Sequence, residues 1–153
     1  MYKRQVRPQL VLENLPIANK GGYLEPHTRA ALGSLAARDL KAARAFTERW
    51  SDARLRKDAD AAIALGVAAN DPMAVVALAR ETENKDLYRI ALQAAERLGA
   101  GMVGEVLRAA GDRLGPCAIS AEFILQHPEI AAKVPSLLLA HGPSTMLRTV
   151  MLR

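Results

Sequence analysis

The chain has 153 residues, of which half are hydrophobic and 24% are charged, and its formal net charge is +5. This composition excludes an intrinsically disordered chain and fits one globular domain with a proper core. The 29 alanines and six aromatic residues favour helices that pack closely on each other, because sheets prefer β-branched and aromatic side chains. We therefore predict an all-α fold.

Residues 1–25 are predicted to form an irregular N-terminal arm, because Pro16 and the pair Gly21–Gly22 interrupt any helical pattern. The first five residues have two interpretations. They are an ordinary basic N-terminus, or they are a translated transposon end from a sequencing library, followed by a bacterial reading frame from environmental DNA. In either case we exclude residues 1–5 from the prediction of the fold.

Residues 26–153 are predicted to form a single all-helical domain. The first helix begins at Pro26, where a missing N–H costs nothing, and ends near Gly33. Ser34 can cap a second helix that extends to Trp50. One face of this second helix is apolar, with residues spaced by three or four: Ala36, Leu40, Ala43, Phe46 and Trp50.

Two further helices follow, each with an N-cap signal. Ser51 is a candidate N-cap for a helix in which apolar residues recur at every fourth position: Leu55, Ala59, Ile63 and Val67. The sequence Asn70–Asp71–Pro72 then combines an aspartate N-cap with a proline in the first turn. It predicts a helix over 73–82, with a break at 84–86.

The next helix, over 87–98, is predicted to be buried on two sides. Leu87, Ile90, Ala91, Ala94 and Leu98 form one apolar stripe, and Tyr88, Leu92 and Ala95 form a second. Such a helix is sandwiched between neighbours. Gly99 and Gly101 are expected to end it, and a further helix is expected over 102–112.

The last third of the chain is strongly apolar and predicts short helices over 117–126, 128–133, 135–140 and 144–152. Only five charged residues occur among the last 38. This segment is wrapped into the core, packed against a second copy in a homo-oligomer, or prepared to pack on a continuation of the chain. Its longest uncharged run, 134–147, is too short to span a membrane, which needs about 20 residues.

Leu-Gly pairs recur with a constant spacing of 33 residues, at 32–33, 65–66 and 98–99. This period is the length of a two-helix unit in helical solenoids, but glycines that end successive helices would produce the same spacing. A further pattern lies between the last two pairs. It consists of Asp71, Pro72, Ala74, Val75, Ala77, Leu78, Asp86, Arg89 and Ala91.

With the flanking Leu-Gly pairs, this pattern resembles the HEAT-like repeat found in bilin-lyase-type proteins over 65–99, although the path from Arg89 to Leu98 is longer than usual. The resemblance implies an array of short antiparallel helix pairs, as a HEAT-like α-solenoid or an irregular helical bundle. It further implies that the second helix of each pair lines a concave surface. On this concave surface, the second helices would expose Arg80, Glu81, Glu105, Arg108, Asp112, Glu129 and Lys133.

No combination of residues indicates an enzyme, a cofactor or a metal site. His27, His127 and His141 each occur in a predicted turn, and their spacing from Cys117 is not that of a zinc site. A single cysteine forms no internal disulfide, so nothing points to an oxidising compartment and a cytoplasmic location is expected. Some HEAT-like proteins are bilin lyases or DNA glycosylases, but none of their functional residues can be placed here.

The charge is concentrated between 29 and 57, where eight basic residues stand against three acidic ones. Arg38, Lys41 and Arg49 are predicted to share one face of the helix that ends at Trp50, and Arg54 and Lys57 extend the charge beyond it. Arg44 and Glu48 are spaced for an ion pair. Such a basic face binds nucleic acid or is simply solvated, and it lacks the interleaved aromatic residues that stack on bases.

Two functional hypotheses follow from the sequence. The first is a non-enzymatic helical-repeat scaffold that binds a protein or peptide on the mixed charges of its concave surface, as a whole protein or as a fragment of a longer solenoid. The second is a nucleic-acid-binding helical domain that uses the basic face of residues 38–57.

Overall fold

The computed structural model describes residues 12–13, 16–18, 21–113, 126–128 and 130, and the regular structure within 21–113 is entirely helical. The prediction of an all-α fold is confirmed. The helices, in chain order, are α1 (Pro26–Ala36), α2 (Leu40–Thr47), α3 (Ala53–Ala68), α4 (Pro72–Glu81), α5 (Asp86–Leu98) and α6 (Ala100–Ala110), followed by a short 3₁₀ turn at Gly111–Arg113.

Most helices pack on the next helix in the chain and also on the next but one. Helix α3 contacts α1 and α5, and α4 contacts α6, so alternate helices lie side by side. Helices α4 and α5 form a tightly packed hairpin, as do α5 and α6. Helix α3 occupies the centre, because it also contacts α2 and α4. Its residues Ala59, Ala62, Ile63 and Ala64 are essentially inaccessible to solvent.

The predicted boundary between the first two helices is wrong. Helix α1 continues through Gly33 to Ala36, and the chain turns over 37–39 before α2 begins. Asp39 fixes the start of α2, because its carboxylate accepts a hydrogen bond from the backbone N–H of Ala42 at 2.9 Å. An aspartate N-cap of this kind stabilises a helix start by about 1 kcal/mol. The apolar residues predicted to share one helix are therefore distributed over α1, α2 and the following turn.

The N-caps of α3 and α4 lie within one residue of their predicted positions. Asp52, not Ser51, caps α3, and its carboxylate accepts from the backbone N–H groups of Arg54 and Leu55. Asp71 caps α4 as predicted, accepting from the N–H of Ala74 at 3.0 Å. Aspartate and serine are about equally favourable at Ncap, so residue type alone does not distinguish Asp52 from Ser51.

The repeated glycines have two different structural roles. Gly99 has φ of 108° and ends α5, as the C-cap interpretation predicts. Gly33 and Gly66 instead lie inside α1 and α3, where the two helix backbones touch each other. A Cβ atom built on Gly66 would lie 2.7 Å from the carbonyl carbon of Gly33 and 2.8 Å from its Cα. The C-cap interpretation is therefore wrong for both, and the spacing of 33 between these two glycines corresponds to a contact between helices.

Helix α5 is buried on two sides, with both predicted apolar rows facing neighbouring helices. Leu87, Tyr88, Ala91 and Leu92 are all buried against α3, α4 and α6. Leu98 is an exception, because it is 52% exposed at the end of the helix. Helix α6 begins two residues before the predicted start, since Gly99 alone separates it from α5.

The described residues on both sides of the helices contribute to the core. Within the predicted N-terminal arm, Leu12 and Leu24 are buried. The Leu24 N–H donates to the Asp58 carboxylate of α3 at 3.3 Å, and Arg29 forms an ion pair with the same carboxylate. Towards the C-terminus, Ile130 is buried in the same cluster. Apart from 126, 128 and 130, the residues of the four predicted C-terminal helices lie outside the described part.

Tyr88 carries the one buried side-chain polar atom among the described residues that has no hydrogen-bond partner, its phenolic oxygen. Burying a hydroxyl without a partner costs about 1–3 kcal/mol. We therefore expect Tyr88→Phe to leave the free energy of unfolding unchanged or to raise it by about 1 kcal/mol. Urea unfolding of both proteins measures the difference. A loss of stability well beyond the experimental error would show that the hydroxyl is bonded.

Candidate binding groove

A polar groove of about 760 Å³ opens between α2, the first half of α3 and the loop that joins α4 to α5. This volume lies in the range of about 300–1,000 Å³ that is typical of ligand sites. Charged side chains of both signs dominate its walls. The lining residues are Arg44, Thr47, Glu48, Ala53, Arg56, Lys57, Asp60, Glu81, Thr82, Glu83, Asn84, Lys85 and Asp86.

Two ion pairs cross the groove and join helices that are distant in sequence. Arg44 of α2 pairs with Glu81 of α4, and not with Glu48 as the spacing on α2 predicts. Lys57 of α3 pairs with Asp86 of α5, with 3.0 Å between Nζ and Oδ2. All four side chains are substantially exposed. Each pair therefore contributes at most about 1 kcal/mol to stability, and competition from a ligand would cost little.

The loop between α4 and α5 is held in one shape by local hydrogen bonds. Thr82 donates its hydroxyl to the carbonyl of Leu78, and the buried Asn84 accepts a hydrogen bond from the N–H of Asp86. Between them, Glu83 has φ of 54°, in the left-handed region that a non-glycine residue rarely adopts. The loop therefore presents the Glu83 and Lys85 side chains at a fixed edge of the groove.

Asp60 is the half-buried carboxylate of the groove wall. Burial raises the pKa of Asp60 above its ordinary value of 3.8, while the neighbouring Arg44 and Arg56 guanidinium groups act to lower it. Burial is the larger of these effects. Among the described residues, no hydrogen bond or ion pair satisfies the Asp60 carboxylate. The ionised form is therefore only partly compensated by its surroundings.

The raised pKa predicts how stability depends on pH. The folded protein binds the Asp60 proton more tightly than the unfolded chain, so the contribution of Asp60 to stability is complete below 3.8. It is lost as the pH rises through the folded pKa. We therefore expect Asp60→Asn to melt at a higher temperature than wild type at pH 7, and at the same temperature at pH 3. Equal melting temperatures at pH 7 would contradict the prediction.

The basic residues predicted for nucleic-acid binding are all exposed, but they do not form one helical face. Arg38 lies in the turn before α2, Lys41 in its first turn, and Arg49 beyond its end. The predicted alignment on a single helix is therefore wrong, because Asp39 divides that segment. Lys57 is already paired with Asp86. The Arg54 guanidinium lies over the ring of Tyr23, 5.9 Å from its centroid.

The residues predicted for a concave surface are only partly described. Glu105 and Arg108 are exposed on α6. Arg80 of α4 reaches across and donates a hydrogen bond to the carbonyl oxygen of Ala109, one of the last carbonyls of α6. Arg80 thus satisfies a helix end. Lys133 and Glu129 lie outside the described residues, as does the side chain of Asp112.

The sequence patterns do not predict the groove. They assign four of its residues to other features: Arg44 and Glu48 to an ion pair, Lys57 to the basic face and Glu81 to the concave surface. The walls of the groove combine three short segments, 44–48, 53–60 and 81–86, that the packing of α3 against α2, α4 and α5 brings together. The two acidic residues of α3, Asp58 and Asp60, were the available signal. They come directly after Lys57, where the basic stretch ends.

The described part of the chain holds no group of three or more His, Cys, Asp or Glu side chains that could bind a metal ion. Neither does it hold a helix with the length and apolar character needed to cross a membrane. His27 is exposed, whereas Cys117 and His141 lie outside the described residues. The chain matches no family model, no curated protein and no solved structure.

Proposed function

We propose that the chain is a non-enzymatic binding module of the helical-repeat type, which recognises an extended segment of a partner protein in the polar groove. The observation that carries this proposal is a groove of about 760 Å³ with charges of both signs. Charges of both signs favour a protein partner over a polyanion, because electrostatic complementarity sets specificity and excludes wrong partners. A cytoplasmic location is part of the proposal.

The packing of the helices supports the helical-repeat part of the proposal. Alternate helices lie side by side, and α4 and α5, which fall within the residues 65–99 of the HEAT-like pattern, pack against each other. In the proposed binding mode the partner lies against α2, α3 and the α4–α5 loop. The surface of α4 and α6 around Arg80 is not part of this binding mode, because Arg80 is bonded to the end of α6.

A defined peptide array tests this function. Synthetic peptides of random sequence, about twelve residues long, are screened for binding to the purified protein. Ala53 is exposed at the edge of the groove, so we expect Ala53→Trp to fill part of it and weaken the selected peptides by about tenfold, or 1.4 kcal/mol. The matched control is Ala45→Trp, on an exposed part of α2 that does not line the groove.

The outcome of this experiment decides the proposal. Peptides that bind the wild type and Ala45→Trp equally, and Ala53→Trp more weakly, support it. An array without any binder overturns it. Equal binding by all three proteins also overturns it, because the peptides would then occupy a different surface.

Nucleic-acid binding is the second candidate, and it is favoured by one observation that the sequence did not suggest. Tyr23 is 53% exposed next to the Arg54 guanidinium, which places an aromatic ring beside a cation. Such a pair can stack on an unpaired base. Retention on a DNA column at physiological salt, lost in a variant with Arg38, Lys41 and Arg49 changed to alanine, would support this candidate. Absence of retention would eliminate it.

A homo-oligomer through the apolar C-terminal third also stays a proposal. Ile130 is buried in the core, so part of this segment packs within its own chain. Sedimentation of the purified protein is the test. A dimer or larger assembly that falls apart when residues beyond 130 are made polar would support the proposal, and a monomer would contradict it.

A further inference from the structure

We propose that Asn84 holds the main chain of the partner segment in the groove, by donating a side-chain N–H to one of its peptide carbonyl oxygens. This inference rests on the proposed function, because it names a specific contact to the partner within the same groove. Three observations carry it: the burial of Asn84 on the groove wall, the orientation of its amide group, and the state of the other uncharged donors around it.

Asn84 lines the groove with a side chain that is almost fully enclosed by the protein. It lies in the loop between α4 and α5 and is 8% exposed, whereas its charged neighbours Glu83 and Lys85 are exposed. Long exposed side chains lose conformational freedom when they hold a ligand, but a short, enclosed amide is already held in place. Asn84 is therefore a preorganised polar group of the groove wall.

The local hydrogen bond of Asn84 determines which end of its amide group is available. The backbone N–H of Asp86 donates to Oδ1 of Asn84 at 3.2 Å, and only the oxygen of an amide accepts from an N–H. The NH₂ group is thus the available end, and its two donors form no hydrogen bond within the described residues. It is not sealed inside the protein, because the one fully enclosed, unbonded side-chain polar atom among these residues belongs to Tyr88. A ligand in the groove can therefore reach it.

The other uncharged side-chain donors of the groove are already used within the protein. The hydroxyl of Thr47 donates to the carbonyl of Arg44 at 2.9 Å, and the hydroxyl of Thr82 donates to the carbonyl of Leu78 at 2.8 Å. Of the described residues that line the groove, Asn84 is therefore the one uncharged side chain that still has donors for a ligand.

The acceptor that matches this donor is an uncharged carbonyl oxygen. A carboxylate would lose much of its hydration on reaching an enclosed donor, and a neutral N–H compensates for this loss only in part. A peptide carbonyl is neutral, and an extended segment carries one at each residue, so peptides of different sequence can bond to the same donor. Asn84 then holds the main chain, while the charged side chains of the groove select among sequences.

The experiment uses a peptide of zero net charge selected on the array, and isothermal titration calorimetry as the readout. The peptide is also made with one main-chain amide at a time replaced by an ester, whose carbonyl is a weaker acceptor. We expect one of these replacements to weaken binding to the wild type by at least about fivefold, or about 1 kcal/mol. In nuclear magnetic resonance spectra, the unmodified peptide should shift the side-chain NH₂ signals of Asn84 and leave those of the exposed Asn70 unchanged.

Asn84→Asp tests whether Asn84 is the residue that contacts this carbonyl. Aspartate keeps the oxygen that accepts from the Asp86 N–H, and nearly the same shape, but it has no N–H donor. We expect it to weaken the unmodified peptide by about fivefold and to abolish the further loss caused by the critical ester. This comparison assigns the loss to Asn84, and not to the N–H that the ester also lacks.

Asn70→Asp is the matched control, because it adds the same charge at an exposed residue outside the groove and should bind the peptide as the wild type does. Circular dichroism shows whether each variant is folded. The ester series on the wild type is a test that needs no variant.

The inference is overturned if no ester replacement weakens binding, or if the critical ester costs as much in folded Asn84→Asp as in the wild type. It is also overturned if Asn84→Asp couples to alanine at a peptide side chain instead, because Asn84 would then hold a side chain and not the main chain. In each of these cases, a peptide that still binds Ala53→Trp more weakly leaves the proposed function intact. An array without any binder overturns the function, and this inference with it.

Discussion

Replacing Gly66 with alanine is expected to destabilise the protein by about 3 kcal/mol or more, because the new methyl group has no space to occupy. Its carbon would lie 2.7 Å from the carbonyl carbon of Gly33 and closer still to the oxygen, whereas real Cβ atoms are not found within 3.0 Å of such atoms. The obstacle is backbone of α1, which a rotamer change cannot move aside. Helices α1 and α3 would have to separate, and the alanines packed between them would lose their contacts.

Urea unfolding followed by circular dichroism measures this effect, and Gly104→Ala is the matched control. Gly104 is also a glycine inside a helix, but a Cβ atom added there meets nothing within 4 Å. Alanine has the higher helix propensity by about 1 kcal/mol, so Gly104→Ala should raise stability. If Gly66→Ala behaved as Gly104→Ala does, the two backbones would not be in contact at Gly33 and Gly66.

Leu92→Ala is expected to cost about 2–5 kcal/mol, the usual penalty for emptying a fully buried leucine site. Leu92 is 1% exposed on α5, between helices that close over it from two sides. Closely packed surroundings of this kind collapse poorly into a cavity, so the penalty should lie in the upper half of the range.

Leu98→Ala supplies the internal comparison, because it makes the same chemical change on the same helix. Leu98 is 52% exposed, and the substitution should change the free energy of unfolding by about 0.5 kcal/mol or less. The sequence pattern assigns both leucines to apolar rows. If the two variants lost similar amounts of unfolding free energy, Leu98 would be buried in solution, as the apolar pattern of the sequence predicts.

The parts of the fold that the sequence predicts well are those decided by neighbouring residues. Asp71 and Pro72 start α4 because their effects act within one helical turn, and the apolar rows of α5 follow from helical periodicity. Gly33 was misread for the opposite reason. A glycine can end a helix, or it can lie inside a helix and permit close contact with a second one. Which of these applies depends on the residue that faces the glycine, and the residue facing Gly33 is Gly66.

The candidate site was less accessible to prediction than the fold. Its ion pairs join residues separated by about 30 positions or more, such as Arg44 with Glu81, and helical spacing instead suggested the local partner Glu48. The degree of burial of Asp60 depends on how α2 and the α4–α5 loop approach α3. Composition located the excess of positive charge correctly, but the groove with charges of both signs appears only when the three segments are brought together.

The central position of α3 determines how slowly the backbone amides in this wall of the groove exchange their hydrogens. Because α3 contacts α1, α2, α4 and α5, its middle residues cannot open without disrupting most of the molecule. Their amide hydrogens should exchange with deuterated solvent last, at the rate of global unfolding. Asp60 lies on this helix. A ligand bound in the groove would therefore slow the exchange of every amide that exchanges only by global unfolding, including amides far from the groove.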